Sequence, residues 1–240
     1  MLLRRFMVHI KEQNWFAVSL DILVVIVGIF LGMQVTEWNE ERNETLLESQ
    51  YMQRLLDDMN NDINDSERTD RWNAKRVETQ ALALKSLREG NLKSDDVQEF
   101  NRGLYWAGVL NPIQRRWHTV EELKSTGNFS ILRDINLRNR IADLETIYMR
   151  NQKIISISEN QIQMLRVELS KYMDVISVSG TIDGDVDIKY DFESLKNHQE
   201  LINMLSMIHA ESQNAIAFRN GYYEALKSFR DELTLIINER

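Results

Sequence analysis

The sequence predicts an all-α protein, one N-terminal transmembrane helix followed by an elongated antiparallel helical bundle with long coiled-coil-like helices. Three observations carry this. One proline and nine glycines in 240 residues leave little punctuation for a β fold. A single unbroken apolar run lies near the N-terminus, and two later stretches repeat apolar residues at alternating spacings of four and three.

Taken in order, residues 1–14 are a short basic segment in which Arg4, Arg5 and Lys11 face only Glu12. From Phe16 to Val35 the chain reads FAVSLDILVVIVGIFLGMQV, which as a helix is about 30 Å long, the thickness of a hydrocarbon core. Trp15 and Trp38 bracket it where indole rings prefer the two interfaces, so the anchor is placed at 15–38. Beyond it Glu37, Glu40, Glu41, Glu44 and Glu48 outnumber Arg42. The positive-inside rule then puts the N-terminus in the cytoplasm and residues 39–240 outside as one helical domain. The run is too long for a signal-peptide core and no A-x-A-like site follows, so an uncleaved anchor is expected.

Asp21 is costly within such a segment. Counting at four-three spacing gives Val25, Gly28, Gly32 and Val35, which places the acid on the stripe of the small-residue motif Gly28-x-x-x-Gly32. Small residues let two helices approach closely, and a neighbouring helix would hide the acid from lipid, pointing to a homo-oligomer through this face. The alternative is that interfacial water reaches Asp21 on the cytoplasmic side and the residue does nothing specific.

The segment 39–89 carries a loose stripe through Met52, Leu56, Met59, Ile63, Val77, Ala81 and Leu84 and stops at Gly90-Asn91, so it is expected to prolong the transmembrane helix. A helix over 95–108 follows, capped by Ser94 or Asp95 and ending before Asn111-Pro112. Thr119-Val-Glu-Glu122 reads as a capping box and Gly127 as the left-handed stop of a helix of about two turns. Leu137, Ile141, Leu144, Tyr148, Asn151, Ile155, Ser158, Ile162, Leu165, Leu169, Tyr172 and Ile176 form one seam; Leu201, Leu205, Ile208, Ser212, Ala215, Arg219, Tyr222, Leu226, Phe229, Leu233 and Ile236 form another. Residues 177–190 change to alternation with glycines, which suggests a loop or short hairpin. The simplest arrangement of three such rods leads away, returns and leaves again.

The run DILVVIVGIFLGMQVTEWNEER, Asp21 to Arg42, resembles the N-terminal signature of bacterial proteins grouped as domain-of-unknown-function family 6090: an acid opening a glycine-containing apolar span that ends in Gln34 and then Trp38-Asn39-Glu40. HTVEELKSTGNFSILRDINLRNRI, residues 118–141, is similar to a second stretch of that family, with Leu137-Arg138 as its Leu-Arg pair. The resemblance implies a bacterial envelope protein, with the anchor in the inner (cytoplasmic) membrane and residues 39–240 in the periplasm, and supplies no activity.

Chemistry is thinly represented. The net charge of -8 and the lack of a Lys/Arg run argue against nucleic acid as a partner, and zero cysteines exclude thiol chemistry and cysteine-ligated metal. His9, His118, His198 and His209 are scattered without metal-ligand spacing, and no glycine-rich phosphate loop or nucleophile elbow exists. Asp183, Asp185 and Asp187 imitate the start of a calcium loop, but Ile188 and Ser194 stand where it needs Gly and Glu. No catalytic, metal or cofactor residue is therefore assigned. Tyr105, Trp106 and Trp117, near Pro112, Arg115 and Arg116, either line a ligand cleft or belong to the core.

The function that fits is a structural, sensory or partner-binding envelope module without turnover, with the lipid bilayer, its own copies and a membrane or periplasmic protein as partners. Its alternatives are an accessory subunit of a larger inner-membrane complex and an ion-coupled subunit. In the latter Asp21 resembles the ion-carrying acid of the flagellar and biopolymer-transport stator families, whose mixed α/β periplasmic fold this chain lacks.

Overall fold

The computed structural model describes the backbone of residues 15–181 and 184–239, with side chains from residue 22 onward. It is helical nearly throughout: α1 (Trp15–Glu89), α2 (Val97–Tyr105), α3 (His118–Ser125), α4 (Ile135–Leu169), β1 (Asp174–Val178), β2 (Val186–Lys189), α5 (Phe192–Lys196) and α6 (Gln199–Asn238). The chain divides into two compact units, Met1–Tyr51 and Met52–Arg240.

In the first unit every described side chain from Ile22 to Leu47 is exposed, including the apolar run to Val35. This helix is long and apolar enough to cross a membrane, and no part of its apolar stretch is buried. The helix ends where expected, at Gly90, which takes φ +65° and donates its amide to Leu87 O while Asn91 N reaches Ser86 O.

The second unit is a bundle whose directions can be read from its hydrogen bonds. Between α4 and α6, Arg140 pairs with Glu232, Asn151 Nδ2 donates to Phe218 O and Ser158 Oγ to Glu211, so the two run antiparallel. Between α1 and α6, Asn60 meets Arg230, Asp70 meets Arg219 and Arg88 meets Ser206, again antiparallel. It follows that α4 runs in the same direction as α1, a departure from the simple out, back and out order. The return is made by residues 94–126, which descend along α1: Gly103 lies on Thr79, Asn111 N donates to Asn73, Arg116 N to Asp62 and Thr119 N to Asp58, and Arg54 binds Glu122. An irregular strap thus serves as the fourth member of the bundle.

The α6 seam is buried from Leu201 to Leu233, with Ile236 half-buried. The α4 seam is buried from Leu137 to Leu169 apart from the half-buried Tyr148 and Leu165, but it does not continue. The chain leaves α4 through a 3-10 turn, Ser170–Tyr172, and Ile176 sits in β1, 70% exposed. β1 and β2 form an antiparallel hairpin with a bulge between Val175 and Ser177. β2 buries Val186 and Ile188 against α2 and exposes Asp187 and Lys189, the alternation of a one-sided strand. Phe100 of α2 packs on Tyr190 and Phe192 at ring distances of 5.3 and 5.7 Å, which closes this end of the core. Gly103 is what lets α2 lie on α1, because a Cβ there would stand 2.2 Å from Thr79 O.

Two caps differ from expectation. No side chain caps α2, which begins through the 3-10 turn Ser94–Asp96 and ends at Tyr105, short of 108. Thr119-Val-Glu-Glu122 is not a capping box: α3 already begins at His118, Thr119 is buried, its amide is taken by Asp58 of α1, and the Glu122 carboxylate is held by Arg54. A neighbouring helix supplies the acceptor that the local sequence would otherwise provide. Gly127, at φ +74°, is the stop that the sequence marks. Asp134 caps α4 and His198 caps α6 through side-chain acceptors.

Candidate functional site

On the expected interface stripe, Val25 and Val35 are 60% and 63% exposed, and a Cβ at Gly28 or Gly32 would meet nothing within 4 Å. Among the described residues the stripe is therefore open from Val25 to Val35. Trp38 is 66% exposed. Trp15 begins α1, and its side chain and that of Asp21 lie outside the described residues.

In the second unit the polar groups converge on the strap, for a reason rooted in backbone chemistry. Residues 107–117 form no regular secondary structure before His118, so their amides and carbonyls need side-chain partners once buried. α1 meets that need. Read at spacings of three and four, its inward positions are apolar at both ends (Met52, Leu55, Met59; Ala83, Leu87) and polar between, as Asp62, Ser66, Asn73, Arg76 and Gln80, all buried. The stripe through Leu56, Val77 and Ala81 is corrected accordingly: Leu56 and Val77 are half-buried and Ala81 is exposed. Both Asp62 oxygens accept from Arg116 N at 3.0 and 3.1 Å, and Arg76 Nη1 donates to Val109 O at 3.2 Å. From the opposite side α6 contributes Arg219, 3% exposed, which binds Asp70 at 2.7 Å and the carbonyls of Asn111 and Pro112 at 3.3 and 2.7 Å. Tyr223 OH donates to Gln114 O.

Electrostatics follow from this burial. Asp62 is fully buried, and loss of water pushes its carboxyl from an ordinary 3.8 up to about 6, with the Arg116 amide and charge opposing and Asp58 and Asp65 adding to the rise. Burial likewise raises Tyr222 and Tyr223 and lowers His209.

The aromatic and arginine residues of 105–117 do not line one cleft. Trp117 is core, with the Arg115 guanidinium 4.9 Å from its ring and 5.1 Å from that of Tyr148. Trp106 stacks edge-on with Tyr105 and takes Arg76 over its face at 5.3 Å, with Trp72 on Arg76 at 5.9 Å. An open cleft of about 410 Å³ at the base of the hairpin is lined by Lys171, Asp174, Lys189 and Asp191 among others, and a cavity of about 90 Å³ lies between Tyr105, Arg166 and Val175. Among the described residues no group of three or more His, Asp or Glu could hold a metal ion; Asp187 instead accepts from Ser177 Oγ, and Asp183 lies outside the described residues.

No family model, curated protein or solved structure matches this chain.

Proposed function

We propose that the chain is a single-pass anchored envelope protein of the bacterial inner membrane, with its N-terminus in the cytoplasm and residues 39–240 acting in the periplasm as a binding module without turnover. One observation carries this reading: the run Ile22–Val35 is apolar and wholly exposed, whereas the second unit buries its own seams. An apolar helix of this length is stable in water only if something covers it, and a bilayer does so along all faces. The resemblance of Asp21–Arg42 to the uncharacterised envelope family agrees with this placement and belongs to the same proposal. An alkaline phosphatase fusion after residue 60 is expected to be active and a cytoplasm-dependent reporter at the same point silent. The opposite pattern would overturn the topology.

Within the bilayer the open stripe of Gly28 and Gly32 supports self-association, a dimer being the smallest closed assembly. Gly28→Ile with Gly32→Ile is expected to reduce crosslinked oligomer in detergent by about tenfold or more, because the branched side chains hold two backbones apart. Ile29→Ala, on another face, should leave it unchanged. Equal crosslinking in both variants would show that the stripe is not an interface.

A further inference from the structure

The open cleft at the base of the hairpin, about 410 Å³, falls within the roughly 300–1,000 Å³ of small-molecule sites. Four charged side chains line it: Lys171, Asp174, Lys189 and Asp191. Two of them are committed within the fold. Lys171 Nζ pairs with Glu168 at 2.6 Å, and Asp191 Oδ1 accepts from Glu193 N and Ser194 N as the cap of α5. Asp174 and Lys189 are not committed: neither side chain has a hydrogen bond or ion pair with any described residue.

These two are nonetheless direct partners across the hairpin, Asp174 on β1 opposite Lys189 on β2. Residues so placed carry their Cβ atoms on one face of the sheet, about 4.5–5.5 Å apart, and opposite charges there ordinarily pair. The neighbouring acid on the outward side of β2, Asp187, is taken by Ser177 Oγ at 2.9 Å and does not line the cleft. A free carboxylate and a free ammonium therefore stand side by side at its wall. An anion that met Lys189 would also face Asp174, and a cation would meet the reverse. A ligand with both charges on one carbon satisfies the two at once.

The rest of the wall is suited to an apolar group. Tyr172, Met173 and Tyr190 line the cleft and are half-buried. Tyr172 is held by the ring of His198 at 4.7 Å and Tyr190 by that of Phe100 at 5.3 Å, so this surface is set by the fold itself.

We propose that the cleft binds a free α-amino acid with an apolar side chain, its carboxylate on Lys189, its ammonium on Asp174 and its side chain against Tyr172, Met173 and Tyr190. The proposal deepens the reading of the second unit as a binding module and rests on it. Membrane sidedness does not enter, since every residue used lies in that unit. The phosphatase fusion can fail while the amino acid binds, and the reverse, so topology and ligand fall separately.

Titration calorimetry of the intact chain in non-ionic detergent tests it with L-leucine, 4-methylpentanoate and isoamylamine. The second compound is leucine without its amino group, the third leucine without its carboxylate. Saturable leucine binding is expected, with each single-charge analogue weaker by about tenfold or more. Asp174→Asn and Lys189→Gln should each lower leucine affinity by about tenfold or more and keep the parent's helical circular dichroism, because neither charge has a partner in the fold. Ser194→Trp, at an exposed position of the cleft, should block leucine with both charges in place. Asp187→Asn, outside the cleft, should bind as the parent does. The proposal is overturned if the parent shows no saturable leucine binding or if either analogue binds as tightly. It is equally overturned if Asp174→Asn, Lys189→Gln or Ser194→Trp binds like the parent, or if Asp187→Asn loses as much affinity as Asp174→Asn.

Discussion

Arg219→Met is expected to destabilise the second unit by about 2–4 kcal/mol. Methionine fills similar volume, so the loss isolates the guanidinium. Arg219 is 3% exposed, and among the described residues it alone supplies donors to the carbonyls of Asn111 and Pro112 while pairing with Asp70. Pro112, the one proline, has no N–H to offer, and the irregular backbone at this point of the strap is held through these carbonyls. Removing the arginine leaves two acceptors without their donor and Asp70 without its cation. The Asp70 side chain is 38% exposed, which is why the upper range quoted for a fully buried broken pair is not reached. Asp70→Asn should therefore cost only about 1 kcal/mol, because Arg219 keeps both carbonyls. Urea titration of the intact chain followed by helical circular dichroism reads both; an Arg219→Met midpoint equal to the parent's would mean that the strap does not depend on this residue.

The same strap explains what the sequence could and could not reveal. The α6 seam was fully legible, even through Ser212 and Arg219, because every position from Leu201 to Leu233 keeps the four-three spacing and faces inward. In α1 the spacing is equally regular, but its central inward residues are polar, and a search for apolar residues passes over them to Val77 and Ala81. The polarity makes sense only once the partner is known to be irregular backbone that needs acceptors and donors. The direction of α4 was hidden for a related reason: residues 90–134 look like a set of short connections, yet they are long enough to retrace α1. The capping box failed because Asp58, distant in sequence, competes for the Thr119 amide. Of the candidate site, the cluster around Tyr105 and Trp106 was visible in the sequence.

The second large effect concerns Asp62 and pH. In the unfolded chain this carboxyl titrates near 3.8, whereas burial in the fold holds it near 6. Between these values the folded state binds the extra proton, so the stability Asp62 contributes is fully present below about 3.8 and is lost as pH rises through about 6. The difference corresponds to at most about 3 kcal/mol, with the two hydrogen bonds from Arg116 N already opposing it. Asp62→Asn keeps an acceptor for that amide and cannot ionise. It is therefore expected to match the parent at pH 4 and to exceed it by about 1–3 kcal/mol at pH 8, with the gap opening between the two values and constant above. Asp62→Leu separates charge from hydrogen bonding, because it relieves the desolvated charge but leaves the Arg116 amide without a partner, and it should gain less than asparagine. Urea midpoints measured at half-unit steps from pH 4 to 8 give the curve directly. A variant that is less stable than the parent at pH 8, or a gap that does not depend on pH, would mean that Asp62 is held as an ordinary carboxylate by Arg116 and that the strap gains from its charge.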